Sequence, residues 1–303
     1  MLVGKYKNQS YKPFISNELF IEIADIIILC DKDIIQLNKI NFLKKTCVII
    51  FINMIIIYRC INILTKINKN FIIITTSNYD NCFPQLDKYD IIFKLLQSKY
   101  LIKLYTKNPS IVHDIIQPIP ISLKWQFNSH YFYGENNMNL IKLYNMLCIT
   151  PTENFNSKEL KKNLLYFNFS VNTTDMTFYI EHKNIRIKIK KQLEQNGFKW
   201  IENNMIDKYM TNLSTYKFVI SPPGKGIDAH RTWESLMVGC IPIVLSSPLN
   251  KLYDNLPVLV VSDYTIITEE YLNSIYSDFI NKKYDFSSLY STYWIDMVKH
   301  QAS

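Results

Sequence analysis

The chain has 303 residues, 48% of them hydrophobic and 20% charged, so it is long enough for two ordinary domains and too apolar to be disordered. Its net charge of +8 comes from scattered lysines, with only short runs such as 44–45, 161–162 and 188–191, and without the interleaved aromatics of a nucleic-acid stripe. The charge therefore reads as solvated surface with a modest attraction for phosphate-bearing small molecules, and no nucleic-acid partner is expected.

The six cysteines form no Cys-x-x-Cys pair, which argues against zinc. The first 13 residues are polar, so no signal peptide is read. A cytoplasmic location with reduced thiols is expected, and the sequons at Asn8, Asn168, Asn172 and Asn212 are expected to go unused. Heavy use of Ile, Asn and Lys fits an AT-rich genome such as that of a virus or a parasite.

The first half alternates apolar strand patterns with helical ones. Residues 25–30 read as a buried strand and 32–44 as a helix with apolar Ile34, Ile35, Leu37 and Leu43. Residues 47–52 are a second strand and 54–67 a helix. The apolar run 48–64 is shorter than the roughly 20 residues of a spanning helix and contains Asn53, Arg59 and Asn62, so no transmembrane segment is read. Strand 71–75 follows and ends in the polar loop 75–80. Then come a helix at 89–98, a strand at 101–105 and the extended segment 117–124, where Pro118 and Pro120 enforce an open path. Asp31-Lys32-Asp33 is open to two readings, a divalent-metal pair or carboxylates favouring a helix start, and the second is preferred.

Residues 128–138 are polar and aromatic, further polar residues surround Pro151, and a domain boundary is placed near 138–159. Beyond it lie a strand at 164–169, the polar loop 168–174, an amphipathic helix at 181–195 with Ile185, Ile189 and Leu193, and Gly197 as its stop. A short strand is expected at 198–201 and a helix at 209–213. Residues 249–255 read as a short helix and 258–261 as a strand. Thr268 caps a helix at 269–280, and a last helix at 286–300 crosses back onto the first domain. This alternation predicts a doubly wound α/β fold with parallel sheets.

The most informative stretch is 216–245, YKFVISPPGKGIDAHRTWESLMVGCIPIVL. It reads as strand, tight loop, helix and strand, with Asp228 as helix cap and Trp233, Leu236, Met237 and Cys240 as a buried stripe. Gly239 stands where a helix end takes a left-handed residue. Gly224 and Gly226 allow close backbone approach, and the helix start offers N–H groups and a positive dipole end to a phosphate. Lys225 and Arg231 add charge, and His230 and Glu234 share a helix face. Glu234 has the chemistry to accept two ribose hydroxyls. A plain alternative is a buried helix with a glycine turn, a cap and one Arg–Glu pair; it serves each residue singly, whereas the combination favours a site.

SPPGKGIDAHRTWESLMVGCIPIV resembles the C-terminal signature of exostosin-like (family 47-like) glycosyltransferases, S-P-x-G-x-G-x-D-x-H-R-x-W-E-A-L-x-x-G-C-I-P-V. The likeness covers about 164–272 and continues into Ser246-Ser247, Leu252-Tyr253, Leu256-Pro257-Val258 and Asp263. Asn108-Pro109 and Pro118-Ile119-Pro120-Ile121 carry a further likeness in the first half, with Ser122 where Gly is common. Lys225 replaces a common Asn, and Ala229 a common Cys, Thr or Ser.

The resemblance implies a GT-B fold of two Rossmann-like doubly wound domains facing a cleft, with residues 1–145 on the acceptor side and 146–303 binding the nucleotide sugar. It implies transfer of a hexosyl or pentosyl group from a nucleoside diphosphate sugar to a glycan or other hydroxyl acceptor, with no metal and no cofactor required. Donor-side residues would be Ser221, Gly224, Lys225, Gly226, Asp228, His230, Arg231 and Glu234, with Arg231 on the diphosphate and Glu234 on the ribose. No catalytic base is assigned. Asn78 and Asp80 are candidates, in a loop where Thr76, Ser77 and Asn78 stand in place of the His, Asn, Ser or Asp common in such sequences.

Two other functions compete. A former transferase without its base would bind nucleotides and turn nothing over. A dinucleotide-dependent oxidoreductase would use Gly224-x-Gly226-x-x-Ala229, but that fingerprint needs an acid closing the next strand about 20 residues on, where Ser246-Ser247 stands.

Overall fold

The computed structural model describes residues 18–76, 83–84, 88–121, 151–156, 161–171, 184–202 and 206–303. They form two compact units. The first runs to Ile121 and takes in Ser287–Ser303; the second lies between and runs to Phe286.

The first unit is built on a five-stranded parallel sheet with the strands side by side in chain order. The strands are β1 (Ile26–Ile28), β2 (Cys47–Asn53), β3 (Asn70–Thr76), β4 (Leu101–Thr106) and β5 (Ile116–Pro118). Residues 47–52 are all buried. A strand covered on both faces needs a continuous apolar run rather than alternation, which is what CVIIFI supplies. Two α-helices connect the middle strands, α2 (Ile57–Leu64) and α3 (Tyr89–Leu96), after a short α1 (Glu18–Glu22). Helix α2 buries Ile57, Cys60, Ile61 and Leu64, the i, i+3, i+4, i+7 stripe. The run 48–64 is thus a strand followed by a helix, and among the described residues no helix is long and apolar enough to cross a membrane.

The segment expected as an ordinary helix at 32–44 is a 3-10 helix, Asp31–Phe42. Its apolar residues explain this. Ile34, Leu37, Ile40 and Leu43 recur every three residues, and all four pack on the core. Side chains three apart eclipse in a 3-10 helix, so this spacing buries one line of them. Ile35 and Phe42 fall off that line and are exposed. The carboxylate of Asp33 accepts the N–H groups of Leu29 at 2.9 Å and Cys30 at 3.0 Å, and Asp31 pairs with Arg59. The Asp-x-Asp motif is therefore a helix start, as preferred, and among the described residues no cluster of His, Cys, Asp and Glu could hold a metal ion.

The second unit has a four-stranded parallel sheet, again in chain order: β6 (Asn163–Tyr166), β7 (Tyr216–Ile220), β8 (Ile241–Leu245) and β9 (Leu259–Val261). Its helices are α4 (Pro151–Asn156), α5 (Ile185–Gln195), α6 (Ile206–Ser214), α7 (His230–Met237) and α8 (Glu269–Asn281). Strands β7 and β8 are parallel, with Phe218 beside Ile241 and Ile220 beside Ile243. A doubly wound sheet reverses its strand order at a switch point. Among the described residues neither sheet reverses.

Residues 198–201 do not join the sheet as a strand. One backbone bond, Ile201 N–H to Phe167 O at 3.0 Å, ties them to the chain beyond β6. Helix α4 falls in the stretch read only as a boundary. Pro151 opens it, where a missing N–H costs nothing, and Phe155 anchors it edge-on to Tyr284 with ring centroids 5.3 Å apart. The last helix, α9 (Ser291–Ala302), packs on α1 and β2 in the first unit, as its expected crossing requires.

Helix ends follow the local chemistry. Gly239 takes φ 70° after α7, and Gly197 takes φ 88° after α5, conformations that favour glycine. Lys161 is buried before β6, and its Nζ donates to Ser214 O and Val238 O, each at 2.7 Å. One ammonium thus closes the carboxyl ends of both α6 and α7. Thr268 Oγ1 accepts the Tyr271 N–H at 3.2 Å, the N-cap read from sequence. Thr268→Ala is expected to cost about 1 kcal/mol in urea unfolding, and Thr268→Ser to restore most of it. Equal midpoints for the alanine variant and the parent would remove the cap from the account.

Candidate functional site

Because β6 to β9 are parallel, the loops after them leave one edge of the sheet, the edge where open α/β sheets bind ligands. After β7 the chain runs through Ser221-Pro222-Pro223-Gly224-Lys225-Gly226-Ile227-Asp228 into α7. Ala229, in extended conformation, is the N-cap of α7, one residue later than expected. Asp228 acts beside it. Its Oδ1 accepts the Ala229 N–H at 2.8 Å and its Oδ2 the Trp233 Nε1–H at 2.8 Å. Trp233 is fully buried, and a buried indole N–H needs such an acceptor. Burial and the nearby Asp228 charge push the Tyr253 hydroxyl well above its ordinary value.

The expected donor-side residues divide by surroundings. Ser221 is buried, with its Oγ 2.8 Å from Thr232 Oγ1. Asp228 faces Trp233. Glu234 is 6% exposed and accepts the Tyr209 hydroxyl on Oε2 at 3.1 Å. Lys225 is exposed, and Gly224 and His230 are half-buried. Gly224 N–H donates to Gly226 O at 2.9 Å, closing the loop tip. Among the described residues the glycines with positive φ are Gly197 and Gly239, so Gly224 and Gly226 do not make left-handed turns. Asn78 and Asp80 lie outside the described residues. Thr75 and Thr76, from the same expected loop, are buried at the end of β3.

Arg231 is half-buried at the end of β6 and β7. Its Nη1 donates to Asn168 O and, at 3.5 Å, to Ile220 O. The guanidinium lies 5.5 Å from the Tyr209 ring centroid and 6.0 Å from that of Tyr166. Burial and the Glu234 carboxylate raise the Tyr209 hydroxyl well above its ordinary value, while Arg231 opposes them. Arg231, Tyr209 and Glu234 therefore form one connected group.

Two members of this edge were not singled out from sequence. Tyr209 bridges Arg231 to Glu234, and nothing local in the chain announces it. Arg186, the second residue of α5, donates from Nε to Pro223 O at 2.8 Å, from Nη2 to Pro222 O at 3.2 Å and from Nη1 to Ser170 O at 2.8 Å. Burial, and then the Arg231 charge, lower its pKa to about 10. Its signal was an arginine beside Ile185, at the start of a helix that follows a strand-end loop. Asn168, read as a sequon, is buried and donates from Nδ2 to Ile201 O at 2.5 Å, a bond that a glycan could not share. Ser246 and Ser247 bond to Asn250 and start the next 3-10 helix, and no acid closes β8.

The edge thus presents two guanidiniums held by carbonyl oxygens, one carboxylate held by a tyrosine, and a glycine loop entering a helix. Its chemistry suits a polyanion carrying hydroxyl groups. No family model matches the chain, and no curated protein matches it significantly.

Proposed function

We propose that the second unit binds a nucleoside diphosphate sugar and that the protein is a glycosyltransferase transferring the sugar to an acceptor hydroxyl. One observation carries the reading: Arg186, held by the Pro222 and Pro223 carbonyls beside the 221–228 loop, stands where the Arg231 charge bears on it, and Tyr209 joins Arg231 to the Glu234 carboxylate. Both guanidiniums donate to backbone carbonyls, and with the N–H groups at the start of α7 they suit a diphosphate. In this reading Arg231 and the amino end of α7 hold the diphosphate as it leaves, when its charge is greatest. The ribose hydroxyls go to the Glu234 carboxylate, which Tyr209 orients. Lys225, exposed on the loop, supplies screening charge. The sugar and the acceptor are held for direct attack, with a base to take the acceptor proton. The reading carries a GT-B architecture with it, and resemblance of the 221–244 run to exostosin-like sequences points the same way.

A thermal-shift panel of nucleoside diphosphates, their sugar conjugates, 2′-deoxy analogues and NAD tests it. One ribonucleoside diphosphate at a hundred times its Kd should stabilise by about 2.7 kcal/mol, roughly 5 °C or more for a chain of this size. The 2′-deoxy analogue should bind about tenfold more weakly, the loss of one charged hydrogen bond. A shift with NAD alone would replace this reading with the oxidoreductase. Tight binding without turnover of any sugar conjugate would leave a nucleotide-binding protein derived from a transferase.

A further inference from the structure

The loop between β7 and α7 begins with a difficulty. Pro222 and Pro223 have no N–H to offer, and their restricted backbones carry the chain straight out of the sheet. The ladder reaches Ser221, whose N–H donates to Ile243 O at 3.0 Å. Beyond it the carbonyls of Pro222 and Pro223 belong to buried residues and have no place in the ladder. Buried carbonyls need partners. The Arg186 fork supplies them, two N–H groups on adjacent carbonyls, while its third bond holds Ser170 at the end of the β6 loop. The guanidinium also lies 5.7 Å from the Phe169 ring centroid, a cation–π contact. The far end of the loop is clamped separately by Asp228 on Ala229 and Trp233. Gly224 to Ile227 is therefore held between two fixed points, and Arg186 is one of them.

We propose that Arg186 is a positioning residue for nucleotide binding: its planar fork fixes Pro222 and Pro223, and through them sets the Gly224–Ile227 backbone and the amino end of α7 where a diphosphate meets them. This rests on the function proposed above. It separates Arg186 from Arg231, which touches the diphosphate. It also predicts that charge alone does not suffice, because the three N–H groups of an ammonium diverge from one nitrogen and do not reproduce the spread of a guanidinium over three carbonyls.

The test uses the full chain with Arg186→Lys and Arg186→Ala, and as probe the nucleoside diphosphate giving the largest thermal shift. Amide hydrogen exchange over 224–230 should be about tenfold faster in both variants, with β7, β8 and α8 keeping their protection. Affinity for the probe should fall about tenfold or more in both. Guanidinium at millimolar concentration, far below the molar denaturing range, should restore part of the affinity of Arg186→Ala and none of that of Arg186→Lys. Unchanged exchange at 224–230 in Arg186→Lys would overturn the proposal, even if Arg186→Ala fails to fold. Faster exchange with undiminished affinity would also overturn it, leaving a purely structural strut. If the parent protein binds no nucleoside diphosphate, the functional reading falls, and the exchange result alone decides whether Arg186 fixes the loop.

Discussion

Replacing Arg231 with alanine is expected to remove nucleoside diphosphate binding and to lower stability by about 3 kcal/mol at once. The stability loss follows from its partners. Asn168 O and Ile220 O lose a charged donor, and Tyr166 and Tyr209 lose the cation beside their rings. An orphaned buried carbonyl costs about 1–3 kcal/mol and a partly buried cation–π contact about 0.5–2 kcal/mol. On the proposed function the binding loss has a different origin, the missing charge at the diphosphate. Arg231→Lys separates them. Lysine keeps the charge and one donor, so it should recover part of the stability, but not the fork geometry that holds a diphosphate. Urea unfolding and calorimetric titration of both variants read the two effects apart. Undiminished affinity in Arg231→Ala would take Arg231 out of the site and leave it as a brace.

Lys161→Ala is expected to destabilise by about 2–5 kcal/mol, although the residue lies away from the site. The ammonium satisfies the carbonyls of Ser214 and Val238, the carboxyl ends of α6 and α7, and its stem is buried. Alanine leaves both acceptors dry and a cavity behind. Lys161→Met fills the volume and should cost less, because it also removes a buried charge. The charge has a pH signature. Burial lowers the Lys161 pKa. Just below the ordinary lysine range the unfolded chain therefore binds the proton more readily than the folded one, and stability from this group rises with pH across that window. As pH falls through the folded pKa, that stability is lost. The parent protein should show this rise and Lys161→Met should lack it, measured as unfolding midpoint against pH. Identical profiles would mean that Lys161 is not buried as charged.

Much of the fold was legible because parallel strands covered on both faces leave unbroken apolar runs. CVIIFIN, NFIIITT and YKFVI announce β2, β3 and β7 without tertiary information. Gly239 and Thr268 marked helix ends, because their φ and hydroxyl chemistry act within a few residues. The 3-10 helix at Asp31–Phe42 was mistyped. Apolar residues three apart fit either helix loosely, and only the core beneath them selects the tighter winding. Residues 198–201 look like a strand, but a strand needs a neighbour, and Phe167 offers them one backbone bond.

For the site, the sequence by itself determined that glycine, charge and a helix start would meet after β7, because those residues are neighbours along 221–234 and local geometry brings them together. It could not divide them by task. Asp228, expected both as cap and on the donor side, bonds to Ala229 and Trp233; Ser221, expected on the donor side, lies against Thr232. Those assignments depend on which way a side chain turns once the core has closed around it. Arg186 and Tyr209 were decided by tertiary structure alone. They stand 45 and 22 residues before Arg231, and only the parallel pairing of β6 with β7 and the packing of α5 and α6 carry them to one edge. Sequence fixes chemistry over the reach of a turn; the partners of a buried charge are chosen by the sheet that brings distant strand ends together.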